Sequence, residues 1–405
     1  MSAVSKYFSS LKDYNRSFWI LCLHMLLFFS SFNMLIPEMN EYLTDLGGAD
    51  YKWMILGLWT IAAAITRPFS GKIADNISRK SVLYIGVIIS VIVSFSYPFF
   101  MNVVGFLILR FLHGFSTGFQ PTGATALIAD VIPEGKRGEA MGIFGITITI
   151  GFSLGQALGS SVKAAFQMEG LFMTCGILGA LSILLILGIK ENKETVRKNA
   201  REKGYISLYD KIIPKKDEII GREVLQPSVI MFLSANVAGV YFLLVPDFSQ
   251  HLGIENKGLF FAVNVAIVVL TRFVAGRFVD LWGARRNLYI SLSVLAVGCL
   301  VTGSAASESH FLLSSLVYGF GAAIGSPAVM AWTADLANPI FKGRGMGTMF
   351  IALELGFLSG NFMGQQIYQN NPDNFFNAFL FAAILSIIGV VYLFLTQKKK
   401  KPILN

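Results

Sequence analysis

The sequence predicts an all-α integral membrane protein, with twelve transmembrane helices in two pseudo-symmetric six-helix bundles. Three observations carry this. The chain is 54% hydrophobic and 14% charged, with a mean hydropathy of +0.61, whereas a soluble domain carries about 25% charged residues. Twelve apolar runs are each long enough to cross a bilayer, which takes roughly 20 residues. A charged stretch between two of those runs, Thr66–Lys80, also comes back half a chain later. Thr271 to Arg286 repeats Thr, Arg, Gly and Asp in the same order, with Gly71 matching Gly276 and Asp75 matching Asp280 at an offset of 205.

The runs are read as spans 1 to 12 over residues 17–37, 51–72, 81–100, 103–126, 138–162, 168–189, 226–246, 257–277, 286–306, 311–332, 344–368 and 375–396. Only helices and closed barrels satisfy the backbone in lipid. These runs are too long for barrel strands and do not alternate. The chain therefore divides into a segment 1–16, a six-helix bundle 17–189, a charged linker 190–225, a second bundle 226–396 and a basic tail 397–405. Six spans per half give both halves the same orientation, related by an axis along the membrane normal. The linker reads as a tether or as a short surface helix carrying Tyr205, Ile206, Leu208, Tyr209, Ile212 and Ile213.

Lys and Arg set the topology. With the N-terminus inside, 27 of them fall in inside segments and three, Lys52, Lys163 and Lys257, fall outside. This bias places both termini in the cytoplasm. It also assigns the net charge of +9 to membrane anchoring rather than to nucleic acid. The outside loops are acidic, with Glu38, Glu41, Asp45, Asp50, Asp247 and Glu308. Pro37-Glu38 and Pro246-Asp247 read as stops that end spans 1 and 7 in matched fashion. The first apolar run is too long for a signal peptide and reads as a retained span. Cys22, Cys175 and Cys299 lie inside spans and read as packing residues.

The repeat runs further at the same offset. Gly114 matches Gly319, Asp130 matches Asp335, and Gly138 matches Gly343. Gly142, Gly151, Gly155 and Gly159 match Gly347, Gly356, Gly360 and Gly364. Such glycines let membrane helices approach closely.

Gly71-Lys72-Ile73-Ala74-Asp75-Asn76-Ile77-Ser78-Arg79-Lys80 resembles the loop signature between the second and third spans of the major facilitator superfamily of secondary transporters. Leu109-Arg110-Phe111-Leu112-His113-Gly114 resembles its fourth-span signature. Gly142, Gly151, Gly155, Gln156, Gly159 and Ser160 resemble the fifth-span signature of its drug-type antiporters, with Gln156 and Ser160 standing where that group has Pro and Gly. The resemblance covers essentially the whole chain and implies the major facilitator fold, with spans 1, 4, 7 and 10 around a central cavity. It also implies that Asp75 docks on the start of span 11, and Asp280 on the start of span 5, as a conformational latch between the halves. Gly71, Arg79, Asp130, Arg137 and Arg285 complete the latch. Arg67 and Arg272 read either as snorkelling cations or as members of that network.

Charge placed deep in a span is a functional candidate by default. Glu354, about ten residues into span 11, and Arg110 with His113 in span 4 are the candidates for proton coupling. His24 and His113 read equally as buried neutral side chains or as proton carriers. Asn33, Gln120, Asn236, Tyr241 and Trp332 are the candidates for substrate contact under the architecture the resemblance implies. Asn33, Gln120, Gln156, Asn236, Asn264 and Asn361 otherwise read as amides that join helices.

No HExxH, GxSxG or Walker loop is present, so the sequence points to a transporter and not to an enzyme. Neither a metal nor a cofactor is implied. The reading is proton-coupled export of an amphipathic or drug-like compound by alternating access. The alternative is proton-coupled import of a polar metabolite, a sugar or organic anion, and a membrane sensor or enzyme is a remote third. The expected partners are a small-molecule substrate, protons and the lipid bilayer, for a monomer in a bacterial inner membrane.

Overall fold

The computed structural model describes residues 13–131, 137–191, 220–337 and 342–397, together with 207, 209, 212 and 213. The side chains at 75, 129, 130, 137–139, 141, 142, 272–281 and 342–344 lie outside that description. Among the described residues the elements are helical, with no strand.

Span 1 is the helix Arg16–Asn33, opened by Asn15, whose side chain accepts from the Phe18 N–H at 2.9 Å. Such a cap satisfies one of the first-turn donors that have no partner within the helix. Ile36–Asp45 continues it. Spans 2, 3 and 4 are Lys52–Asn76, Arg79–Ser96 and Val103–Val131. Spans 5 and 6 form one run, Arg137–Leu187, broken at Gln167, whose φ is 61°. The second half comprises Leu225–His251, Leu259–Trp282, Ala284–Gly303, Glu308–Leu336, Lys342–Tyr368 and Phe375–Leu395. Nine helices among the described residues are long and apolar enough to cross a membrane, and one of them, Ile143–Leu187, holds two spans. The helices of spans 2 and 8 complete the twelve.

The proline stops are corrected. Pro37 opens the second helix of span 1, at the position where its missing N–H costs nothing. Pro246 lies inside the span 7 helix, which runs on to His251. Both helices therefore carry their acidic residues onward, Glu38 and Glu41 on one and Asp247 on the other.

Each half has its own apolar core. Within the halves, span 1 packs on span 5 and span 7 on span 11. The glycine series makes these contacts possible. A Cβ on Gly151, Gly155 or Gly159 would overlap the carbonyls of Leu26, Ser30 or Met34, and one on Gly356 or Gly360 those of Phe232 or Asn236. Between the halves, span 2 packs on span 11 and span 5 meets span 8. Twelve crossings leave both chain ends on one side, here called the terminal face; the opposite side is the far face. At the terminal face, Glu191 accepts from the Arg79 N–H at 2.7 Å and from the Ser78 hydroxyl at 2.8 Å. It thereby caps span 3 and ties the loop between spans 2 and 3 to the end of span 6.

Candidate functional site: the interface between the halves

On the far face the two halves are clamped by charge. Lys52, at the start of span 2, donates to Asp247 of span 7 at 2.6 Å. Asn40 donates to the same carboxylate at 2.8 Å and to the Leu243 carbonyl at 2.7 Å. Lys257, at the start of span 8, donates to Glu41 and lies 3.7 Å from Glu38. Lys163 adds bonds to Glu38 at 2.9 Å and Glu41 at 2.8 Å. Lys52 and Lys257 are themselves 205 residues apart, so the repeat supplies a lysine at the start of the second span of each half. Each reaches an acid at the end of the first span of the other half. Asn256 donates to the Ala157 carbonyl at 3.2 Å, and Gly258 is packed so closely on Gln156 that a Cβ would overlap its carbonyl oxygen. All three outside lysines belong to this clamp, with the outside carboxylates Glu38, Glu41 and Asp247.

Deeper in the membrane a phenylalanine seal follows. Phe152 of span 5 and Phe357 of span 11, again 205 residues apart, both meet Phe242 of span 7 with ring centroids 5.5 Å apart. Phe29 and Phe32 pack on Phe152 from span 1, and Phe261 on Phe242 from span 8. The Phe152–Phe242 contact crosses between the halves. One helical turn back toward the far face from the paired phenylalanines sit Gln156 and Asn361, also repeat partners. Gln156 Nε2, Asn361 Oδ1 and Asn33 Oδ1 are buried with no hydrogen-bond partner among the described residues.

Along the other seam, Trp53 meets Phe362 edge-on at 5.0 Å, a Cβ on Gly57 would touch Leu358, and Arg67 meets Glu354. Arg67 Nε donates to Glu354 Oε1 at 2.9 Å and a second guanidinium nitrogen donates to the same oxygen. The Arg67 guanidinium also lies 4.8 Å over the Phe350 ring. Glu354 is 3% exposed. This is the one membrane-embedded ion pair among the described residues, and it spans the two halves. Past it the described contacts thin. Gly71, one turn on from Arg67, and Gly347, two turns from Glu354 on the same face, would each accept a Cβ into open space. So would Gly145, two turns from Phe152 on its face. Among the described residues the halves are thus joined on the far face, and their contacts thin toward the terminal face.

Other candidates from the sequence lie elsewhere. Gln120 is committed within the first half, to His24 at 2.9 Å and to the Leu83 carbonyl at 2.7 Å. Asn236 donates to the Phe232 carbonyl and accepts from Ser359, inside the second half. Tyr241 is fully buried, bonded to Thr302 at 2.8 Å and stacked on Tyr318 at 3.8 Å. It belongs to the core and not to a cavity. Trp332 is buried beneath the Arg285 guanidinium at 4.9 Å. Arg285 also donates to Thr396, so it joins spans within one half instead of latching two. Arg110 and His113 are brought together, both touching Tyr97, with Arg110 also donating to the Ile55 carbonyl at 3.0 Å. That cluster is sealed inside the first half. Asn33 alone of the five substrate candidates keeps a free polar atom beside the seal. The side chains of Asp75, Asp130, Arg137 and Asp280 lie outside the described residues.

Two bundles of six helices that meet along a shared seam and are clamped together on one face have the architecture of a membrane transporter. The chain belongs to the Major Facilitator Superfamily, whose family model matches residues 19–255 and 227–405. It is 24% identical to the quinolone resistance protein NorA of Staphylococcus aureus, over 95% of this chain and 98% of that one. It is likewise 24% identical to the multi-drug resistance efflux pump PmrA homolog of Lactococcus lactis, over 91% and 92%. An uncharacterized MFS-type transporter of Methanocaldococcus jannaschii is 24% identical over 88% and 92%. Among solved structures, the fold matches the human organic anion transporter MFSD10 with a TM-score of 0.71 at 18% identity, covering 93% of this chain and 99% of that one. It matches the nucleoside transporter NupG with a TM-score of 0.75 at 15% identity, covering 95% and 100%.

Proposed function

We propose that the protein exports amphipathic or drug-like compounds in exchange for protons, as a monomer whose terminal face is cytoplasmic. The observation that carries the reading is the Arg67–Glu354 pair, which closes a seam lined by phenylalanines and opens toward the terminal face. An apolar, aromatic seat accepts many amphipathic shapes. The unpartnered amide atoms of Asn33, Gln156 and Asn361 offer it a few polar contacts. Glu354 is the carboxylate that exchanges a proton, and Arg67 is the counter-ion that holds it while it is charged. Protonation dissolves the pair and frees the seam to rearrange. The relatives described as drug-resistance pumps support export. The excess of Lys and Arg on the terminal face supports its cytoplasmic side. The import reading drew on Gln156 in place of Pro and on Arg110 with His113 as an anion site, and the enclosure of that pair within one half removes the second support. The latch of Gly71, Asp75, Arg79, Asp130, Arg137 and Asp280 remains part of this proposal, as the closure of the terminal face in the opposite state.

Inside-out vesicles with an imposed proton gradient provide the test, with a fluorescent amphipathic cation as probe. Uptake that collapses with the gradient, and is lost in Glu354→Gln while that variant still binds the probe, supports the reading. Gradient-driven uptake that survives Glu354→Gln removes Glu354 from coupling. Uptake only in right-side-out vesicles would reverse the direction.

A further inference from the structure

We propose that His24 is a second proton-binding site, buried in the first half, where the proton is held between the Ser182 carbonyl and the side-chain oxygen of Gln120. His24 is 0% exposed in the middle of span 1. Its Nδ1 lies 3.0 Å from the Ser182 carbonyl oxygen of span 6, and its Nε2 lies 2.9 Å from Gln120 Oε1 of span 4. Gln120 is equally buried, and its orientation is set, because its amide nitrogen donates to the Leu83 carbonyl of span 3 at 2.7 Å.

Counting donors decides the protonation state. Leu83 and Ser182 present carbonyls, which only accept. A neutral imidazole carries one N–H and one lone pair. With the hydrogen on Nδ1, the Ser182 bond is made and the Nε2 lone pair faces the Gln120 oxygen. With it on Nε2, the Gln120 bond is made and the Nδ1 lone pair faces Ser182. Turning the amide over lets Gln120 donate to Nε2 but sets its oxygen against the Leu83 carbonyl. Every neutral arrangement leaves two acceptors pointing at each other within 3.0 Å. The imidazolium, with two N–H groups, leaves none.

Burial opposes a charge here, and two charge-assisted bonds, the stronger kind, oppose that cost. The surroundings are otherwise uncharged. Spans 3, 4 and 6 contribute Leu83, Gln120 and Ser182. On the histidine's own helix, Cys22 engages Thr147. No Asp, Glu, Lys or Arg among the described residues interacts with the ring. Proton affinity therefore depends on the two oxygens staying in place, and a shift of span 4 against span 6 would release the proton. This site lies in the opposite half from Glu354, and its occupancy can be measured without any transport assay.

The experiment is solid-state NMR of the whole protein in lipid, with ring-labelled histidine. The His24 signals are assigned by their loss in His24→Asn. Should that variant not fold, they are assigned in a chain whose other histidines, His113, His251 and His310, are replaced by Asn. Two protonated ring nitrogens at neutral pH are expected. Gln120→Leu removes one acceptor and should lower the pH of proton release by about one unit, a tenfold loss of affinity. Gln120→Glu should raise it. A single protonated nitrogen throughout the range from acid to alkaline overturns the proposal, as does a titration that neither Gln120 variant moves.

Discussion

The far face and the terminal face of this molecule are built from the same repeat, yet among the described residues only the far face is bridged by charge between the halves. On the far face the seam holds two lysine–carboxylate bridges, the Gly258–Gln156 contact and the Phe152–Phe242 seal. Toward the terminal face the described seam thins to Arg67–Glu354 and then to glycines that face open space. The repeated elements are therefore not spent on symmetry within one state. They give the transporter a bridged far side and, among the described residues, glycines that meet open space toward the terminal side. The comparison also ranks the contacts. The bridges of the far face exist only while it is closed, so weakening them should shift the balance between states, whereas the deep ion pair is positioned to affect stability as well.

The largest effect is expected at that pair. Arg67→Ala leaves Glu354 buried and uncompensated, which costs about 3–5 kcal/mol. Combining it with Glu354→Gln should restore most of the melting temperature lost. If the double variant is no more stable than Arg67→Ala, the cost comes from the lost packing of the arginine on Phe350 and not from the stranded charge.

Next come the two lysines, which the repeat makes equivalent and their surroundings make unequal. Lys52→Ala leaves Asp247 with the neutral partners Asn40 and Tyr368, and should cost the closed state about 2–5 kcal/mol. Lys257→Ala leaves Glu38 and Glu41 still bonded to Lys163, so the loss is nearer about 1.5 kcal/mol, the net worth of one charged hydrogen bond. Spin labels at Ala165 and Glu255, exposed on the far side of each half, would report the opening as a longer distance. Equal shifts for the two lysines would mean that Lys163 does not share the load.

Much of the architecture was legible before any coordinates. Hydropathy placed the spans, the 205-residue offset gave the two halves, and the bias of Lys and Arg separated the two faces. What the sequence left unread was the rotation of each helix about its axis. Lipid is as apolar as a protein core, so a membrane helix need not show the amphipathic stripe that orients a soluble one. That is why Tyr241 and Trp332 were expected at a cavity and lie in a core, and why the phenylalanines of the seal went unassigned among 35. Two signals were available in the repeat. Lys52 matches Lys257 among only three outside lysines, and Phe152 matches Phe357 within the glycine-bearing helices. Arg67 was seen as a charge near the end of a span. Its partner was not legible, because Glu354 lies 287 residues away and has no charged equivalent in the first half.

The sharpest form of the comparison uses one substitution on both faces. Gly258→Ala must push span 8 away from the Gln156 carbonyl, a backbone group that cannot rotate aside. Overpacking of this kind costs about 1–3 kcal/mol, and here the closed far face bears it, so the Ala165–Glu255 distance should lengthen. Gly71→Ala adds the same methyl where nothing lies within 4 Å. In the present state it should be within about 0.5 kcal/mol of neutral, or slightly stabilising, because alanine favours the helix. Its cost should appear only when the terminal face closes and span 2 approaches span 11. Gly71→Ala should therefore leave the far-face distance short and slow transport, while Gly258→Ala lengthens it. If Gly71→Ala instead shifts the population toward the far-open state, open space is not what surrounds Gly71, and the seam does not part where the glycines place it.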